Sequence, residues 1–180
     1  MTANDLTAAR LRELFNYDQS TGAFTRRAAT NRHAAGPVAT GPNDDGYLRL
    51  YIDGKRYKQH RLAFLYVHGK WPDGLIDHKL GDRSANAIHL IRDVDNHVNA
   101  QNRRGPNKNN KVGLIGASPL VRKNGAVVYR AQICVRGRVK QLGIFATPLE
   151  AHETYLLAKR REHPGYIAKA AIVRRVEGLA

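Results

Sequence analysis

The sequence predicts an α+β protein in two parts, each combining short antiparallel strands with helices. In the first part, Asp53-Gly54 separates two alternating runs, which is a strong hairpin signal. In the second, three short extended runs precede a single helix, a pattern typical of a three-stranded antiparallel sheet packed on that helix. The predicted parts are a first region at 1–102 with a strand, strand, helix core at about 75–102, a basic linker at 103–112, a second domain at 113–167 and a tail at 168–180.

The N-terminal segment predicts one short amphipathic helix followed by an extended stretch. Residues 6–15 place apolar side chains at near-helical spacing behind Thr7, a suitable N-cap. Thr21-Gly22 then favours a turn into a short strand around Phe24. Residues 28–46 are rich in Ala, Gly, Pro, Asn and Asp without periodicity, which indicates a loop.

The hairpin around Asp53-Gly54 leads into a buried helix. Its first strand alternates from Tyr47 to Ile52, and its second follows at 57–60. Residues 61–68 then predict a brief helix. Trp71, next to Pro72, is expected to cap a small core rather than to stack on a base.

The stretch 76–104 is where we place the chemistry. Leu75-Ile76 predicts a strand leading into Asp77-His78, and residues 90–94 are its expected antiparallel partner. Asp95 can cap a helix that runs through residue 103 and sets Asn99 and Asn102 on one face.

Beyond the basic segment, the second domain is predicted from local patterns. Extended runs at 114–121, 127–135 and 138–144 are joined by turn residues, and Thr147-Pro148 opens a helix whose stripe of Ala151, Tyr155 and Ala158 faces the sheet. On the middle strand, Arg130 and Gln132 must share one face, because side chains alternate along a strand.

The charge balance predicts a polyanionic partner. The chain of 180 residues has 30 Lys and Arg against 15 Asp and Glu, a net charge of +15 and a pI near 10.4. Nucleic acid compensates such self-repulsion through counterion release, and a membrane surface is the alternative. One cysteine excludes an internal disulfide and multi-cysteine zinc sites. Without an apolar span or signal pattern, we expect a soluble, cytoplasmic protein, with a monomer favoured.

Asp77 and His78 fit the hydrolysis of a phosphodiester bond. That reaction needs a deprotonated water and a cation that neutralises the phosphate. Mg²⁺ keeps most of its waters, so one or two protein oxygens, from Asp77 and from the Asn99 amide, are sufficient. His78 is the candidate base, provided that a bend at the strand end lets both side chains serve one site. The alternative is a structural histidine.

The run from His60 to Arg104 resembles the HNH endonucleases of the ββα-metal type that phages and mobile elements carry. The matching motifs are His60-Arg61-Leu62, Trp71-Pro72, Ile76-Asp77-His78, Gly81-Asp82 and Asn99-x-x-Asn102. The segment from Leu11 to Tyr57 resembles the N-terminal part of the same phage proteins.

This resemblance implies a metal-dependent DNA endonuclease, homing-type and possibly nicking, in a bacterial host cell. Asp77 and Asn99 are the implied metal ligands, for Mg²⁺ or alternatively Mn²⁺, and His78 is the implied general base. One departure is Leu90, which stands where the family has its middle Asn. His89 is the candidate to replace that Asn; otherwise the base loop is held in another way or catalysis is weakened.

Residues 113–166 resemble the Apetala-type domain of ethylene-response factors, with Tyr129 where that family usually has Trp. The resemblance implies a sheet laid in the major groove of double-stranded DNA with its helix behind. The predicted DNA contacts across the chain are Arg61, Arg103, Arg104, Lys108, Lys111, Arg122, Lys123, Arg130, Gln132, Arg136, Arg138 and Lys140. A solvated charged face is the alternative for the second domain.

Two other functions compete with the nuclease. A DNA-binding protein that has lost catalysis is motivated by Leu90. An RNA-binding or ribosome-binding basic protein is motivated by charge alone.

Overall fold

The computed structural model describes residues 6–38 and 41–168, and it confirms a mixed α+β fold with several small antiparallel sheets. The chain divides into two compact units, Met1–Asn96 and His97–Ala180. Residues 103–112, predicted as a linker, are therefore grouped with the second unit. All of the predicted tail except residue 168 lies outside the described residues.

The first unit contains two helices and three small sheets among its described residues. In chain order its elements are α1 (Ala8–Leu14), β1 (Phe15–Tyr17), β2 (Phe24–Arg26), β3 (Gly36–Pro37), β4 (Arg49–Ile52), β5 (Lys55–Lys58), α2 (Gln59–His68), β6 (Leu75–His78), a 3-10 turn (Ile88–Leu90) and β7 (Ile91–Val94). The sheets are β1-β2-β3, β4-β5 and β6-β7, and all their pairings are antiparallel.

The predicted N-terminal helix is confirmed, but it ends before Phe15. The Thr7 side chain accepts a hydrogen bond from the Arg10 amide at 3.2 Å, as an N-cap should. Phe15 is extended and pairs with Arg26, so it is the first residue of β1. This strand was not predicted, because Phe15 continues the near-helical spacing of the apolar residues before it. Its fully buried ring packs edge-on against Phe24 in the core of the unit.

The hairpin at Asp53-Gly54 is confirmed. Both turn residues have positive φ, 48° and 78°, as a two-residue type I′ turn requires. Because so tight a turn resumes pairing at once, β5 occupies residues 55–58 instead of the predicted 57–60, and α2 begins at Gln59. Trp71 stacks on Tyr57 with ring centroids 5.8 Å apart, which confirms its predicted place at the core.

The second unit follows the predicted sheet and helix closely. α3 (Asn96–Gln101) begins at the last residue of the first unit, and β8 (Ala117–Val121), β9 (Val127–Val135), β10 (Arg138–Phe145) and α4 (Pro148–Glu162) follow. The sheet order is β10-β9-β8, antiparallel throughout. Thr147 and Glu150 cap α4 reciprocally. Ala151, Tyr155 and Ala158 are buried against the sheet, as predicted.

None of the helices between residues 6 and 168, apart from the gap at 39–40, is long and apolar enough to cross a membrane.

Candidate active site

Asp77 and His78 are adjacent residues of an unbroken strand. Asp77 pairs with Arg92 and His78 with Ile91 across the β6-β7 ladder. Neighbouring side chains of an extended strand leave opposite faces. The bend assumed from the sequence is therefore absent, and each side chain has its own surroundings.

The imidazole of His78 is buried and contacts a buried amide. His78 Nε2 lies 3.1 Å from Oδ1 of Asn86, and the two residues are 5 % and 1 % exposed. The Asn86 amide nitrogen faces Gln59 Oε1 at 3.5 Å, and in this orientation Asn86 Oδ1 faces His78. Because Oδ1 can only accept, the tautomer of His78 that matches this orientation has its proton on Nε2 and its lone pair on Nδ1.

Two aromatic groups pack against His78. Its ring centroid lies 5.1 Å from that of His60 and 5.8 Å from that of Tyr47. Burial lowers the pKa of His78, and burial together with the neighbouring His78 lowers the pKa of His60 to about 3. Both imidazoles are therefore neutral at pH 7. His60 Nδ1 is buried without a hydrogen-bond partner.

The loop that carries Asn86 is held by the N-terminal hairpin. Tyr17 Oη donates to the Asn86 carbonyl at 2.7 Å, and the Ile88 amide donates to the Gln19 carbonyl at 3.1 Å. Gly22, at φ +81°, lies so close to this loop that an added Cβ would meet the Ala87 amide nitrogen at 2.4 Å. Asn86, Tyr17 and Gly22 were not identified from the sequence as site residues, although they position the loop beside His78.

Leu90 and His89 take part in this loop through their carbonyls. The Leu90 carbonyl accepts from the Lys79 amide at 2.8 Å, and the His89 carbonyl accepts from Lys79 Nζ at 2.7 Å. The His89 residue is exposed. Asn86, four residues before Leu90, is the side-chain amide that contacts His78. The catalytic role of His89 stays a prediction.

Asp77 is a buried carboxylate held by a guanidinium. Arg92 Nε and Nη2 both donate to its Oδ2, at 2.9 and 2.8 Å. Asp77 is 6 % exposed, and the Arg92 side chain is 22 % exposed. The predicted ligand thus already has a cationic partner.

The second predicted metal ligand lies apart from the first in the division of the chain into units. Asn99, the second predicted ligand, is half-buried on α3 in the second unit. No group of three or more His, Cys, Asp or Glu residues able to hold a metal occurs in the described part of the chain. The two predicted ligands thus belong to different units, and their role in metal binding stays a prediction.

The predicted DNA contacts of the second unit lie on several surfaces. Ala131 and Ile133 face α4, so Arg130 and Gln132 share the helix-free face, as predicted. Lys140, paired with Ile133, lies on the helix side, where its ammonium is 3.4 Å from the Glu162 carboxylate. The predicted contact of Lys140 with DNA stays a prediction. The cations exposed on turns and the segment before β8 are Arg103, Lys108, Lys111, Arg122, Lys123 and Arg136, and Arg138 is exposed at the start of β10.

Two further predicted DNA contacts already interact with other groups of the protein. Arg104 Nη2 donates to the Ile167 carbonyl at 2.6 Å. Arg61 is half-buried on α2, with its guanidinium 5.6 Å from the centre of the Trp71 ring.

Comparison with known proteins gives one solved relative of low similarity. No family model and no curated protein matches the chain. The chain is similar to a solved structure described as "DNA binding and cleavage by the HNH homing endonuclease I-HmuI", at 24% sequence identity and a TM-score of 0.39. The match covers 49% of this chain and 50% of that one, so it spans about half the length of each.

Proposed function

We propose that the chain is a metal-dependent endonuclease of the HNH type that hydrolyses phosphodiester bonds in double-stranded DNA. The observation that carries the proposal is the buried imidazole of His78, which lies 3.1 Å from Asn86 Oδ1 and directly follows Asp77 in the chain. The motifs from His60 to Arg104 that resemble HNH endonucleases agree with this assignment.

His78 acts as the general base in this proposal. With its proton on Nε2, the imidazole presents the Nδ1 lone pair, which removes a proton from the attacking water. The water oxygen then bonds to phosphorus while the bond to the leaving oxygen breaks, and the leaving oxygen takes up a proton from solvent. Because burial lowers the pKa of His78, the imidazole is unprotonated at pH 7 and can accept a proton without a rise in pH.

Asp77 in the first unit is a residue that would hold the divalent ion, most simply Mg²⁺, and Asn99 is the second ligand that the resemblance implies. A bound ion would supply positive charge that stabilises the charge developing on the phosphate. Arg92 pairs with the Asp77 carboxylate in the structure.

DNA binding is assigned mainly to the cations of the second unit. The exposed turn residues Arg122, Lys123 and Arg136 make no ion pair with any residue of 6–38 or 41–168, which suits contact with phosphates. Arg130 and Gln132, on the helix-free face, are the side chains proposed to reach base edges, since arginine and glutamine can recognise bases through paired hydrogen bonds.

A plasmid-cleavage assay tests the proposal. The wild-type protein is expected to nick or cut supercoiled DNA with Mg²⁺ and not with EDTA, and Asp77→Ala and His78→Ala should each lose this activity. His68→Ala removes an exposed histidine of the same unit and should cut normally. Cleavage that survives in His78→Ala contradicts the assignment of the base. In a parallel competition assay, preference for RNA over duplex DNA would favour the RNA-binding alternative.

A DNA-binding protein without catalysis is the second candidate. It is favoured by Leu90 in place of the family's middle Asn and by the engagement of Asp77 with Arg92. Tight binding of duplex DNA by a wild-type protein that never cuts, with Mg²⁺ or with Mn²⁺, would select this candidate.

A further inference from the structure

The polar face of the β4-β5 hairpin combines like charges in a way that does not favour folding. Arg49 is directly opposite Lys58, and Tyr51 is directly opposite Arg56. Cations that face each other across a ladder repel, which destabilises the pair. The opposite face of the hairpin, with Leu50 and Ile52, accounts for its packing on the core.

The charges on this face are only partly compensated. Arg49 pairs with Asp45 at 2.5 Å. No ion pair of Arg56 or Lys58 occurs among residues 6–38 and 41–96 of this unit. Tyr51 is 57 % exposed, although a tyrosine ring is a large apolar group. An exposed aromatic ring between cations fits a sugar-phosphate chain, because phosphates neutralise the cations and the ring packs on sugars or bases.

The same face leads to the candidate active site. Lys58 Nζ lies 4.0 Å from the centre of the Tyr47 ring, and the Arg83 guanidinium lies 5.1 Å from it. The Tyr47 ring in turn packs against His78. The row of cations is thus continuous with the surroundings of the proposed base.

We propose that Arg49, Tyr51, Arg56 and Lys58, with Arg83 at the active-site end, form a surface that binds the DNA backbone and guides it to His78. This inference rests on the proposed DNA substrate and adds a binding surface in the unit that holds the chemistry. None of these five residues belongs to the DNA contacts predicted from the sequence.

Binding to a short fluorescent duplex in EDTA, measured at several salt concentrations, tests the surface without any cleavage. Arg56→Ala should reduce the slope of log affinity against log salt by about 0.9, as expected for one lost phosphate contact, and Arg56→Ala with Lys58→Ala by about twice that. Tyr51→Ala should weaken binding several-fold at all salt concentrations with the slope unchanged, because its contact is not ionic.

Lys70→Ala is the control, since it removes one exposed cation of the same unit that belongs to neither hairpin strand and pairs with Asp73, and it should bind like wild type. The fluorescence of Trp71, the single tryptophan of the chain, reports whether each variant is folded. Should Arg56→Ala prove unstable, Arg56→Gln keeps most of the side-chain stem and should show the same change in slope.

The outcomes separate this inference from the proposed nuclease. A folded Arg56→Ala or Arg56→Gln variant with the salt slope of Lys70→Ala overturns the surface. A protein that binds through the hairpin but never cuts DNA leaves the surface standing and refutes the nuclease. Failure of wild type to bind duplex DNA overturns both.

Discussion

The two units bury ionisable groups in different ways. In the first, His78 contacts Asn86 and packs on His60, and Asp77 pairs with Arg92. In the second, the fully buried Lys159 donates to the backbone carbonyl of Arg103, and burial, with smaller effects of Arg104 and Arg103, lowers its pKa to about 8.

This contrast indicates different roles for the two units, one in catalysis and one in contacts with DNA. A general base needs a fixed orientation and an unprotonated ring, and the first unit holds His78 against Asn86 and lowers its pKa by burial. Phosphate contacts need exposed cations, and most cations of the second unit are exposed. We therefore propose that the first unit supplies the general base and that the second supplies most of the cations that contact DNA.

The largest expected effect comes from Gly22→Ala. The new Cβ would meet the backbone at Asn86-Ala87 and would sit at positive φ, so we expect about 4 kcal/mol of destabilisation from strain and overpacking together. Urea unfolding followed through Trp71 measures it. Gly69→Ala also sits at positive φ, but no atom lies within 4 Å of its added Cβ, so it should lose only about 1 kcal/mol. Equal losses in the two variants would show that the hairpin does not hold the loop.

The next largest effect is expected from Arg92→Gln. It should lower the free energy of unfolding by about 3 kcal/mol, because it leaves the buried Asp77 carboxylate without its cation. Asp77→Asn should cost less, since Arg92 can reach solvent. If Asp77 is a metal ligand, Mg²⁺ should raise the melting temperature of Arg92→Gln and have no such effect on the double variant with Asp77→Asn. Equal responses to Mg²⁺ would count against Asp77 as a ligand.

As the pH falls, the first unit should begin to lose stability at a higher pH than protonation of its carboxylates alone would cause. The pKa of His60 is about 3 in the folded protein and near 6.5 in the unfolded chain, so below pH 6.5 only the unfolded state takes up the proton. Stability is complete above pH 6.5 and should fall by about 2 kcal/mol by pH 5 from His60 alone. His60→Gln should flatten this dependence in unfolding curves followed through Trp71. An unchanged dependence would show that His60 is not the source.

Local sequence patterns predict some of these features, and contacts between distant segments define the others. The hairpin at Asp53-Gly54 and the strands and helix of the second unit rest on local turn chemistry and alternation, so local patterns found them. Asn86 contacts His78 because the β1-β2 hairpin, distant in sequence, holds its loop. The pair of Asp77 with Arg92 depends on the register of β6 and β7, which no local pattern defines.

The smallest expected effect belongs to the turn between β8 and β9. Arg122→Ala and Lys123→Ala should each weaken duplex binding only several-fold, and each should lower the salt slope by about 0.9, because exposed phosphate contacts are individually weak. Fluorescence anisotropy at several salt concentrations measures both quantities. Unchanged slopes would remove this turn from the DNA surface.

The most direct test of the division between the units is the single-turnover rate of DNA cleavage at saturating protein. His78→Ala should bind duplex DNA like wild type and cut about 10² to 10⁴ times more slowly, as expected for loss of a general base. The variant with both Arg122→Ala and Lys123→Ala should need more protein to saturate but then cut at the wild-type rate. A His78→Ala variant that cuts at the wild-type rate would contradict the account.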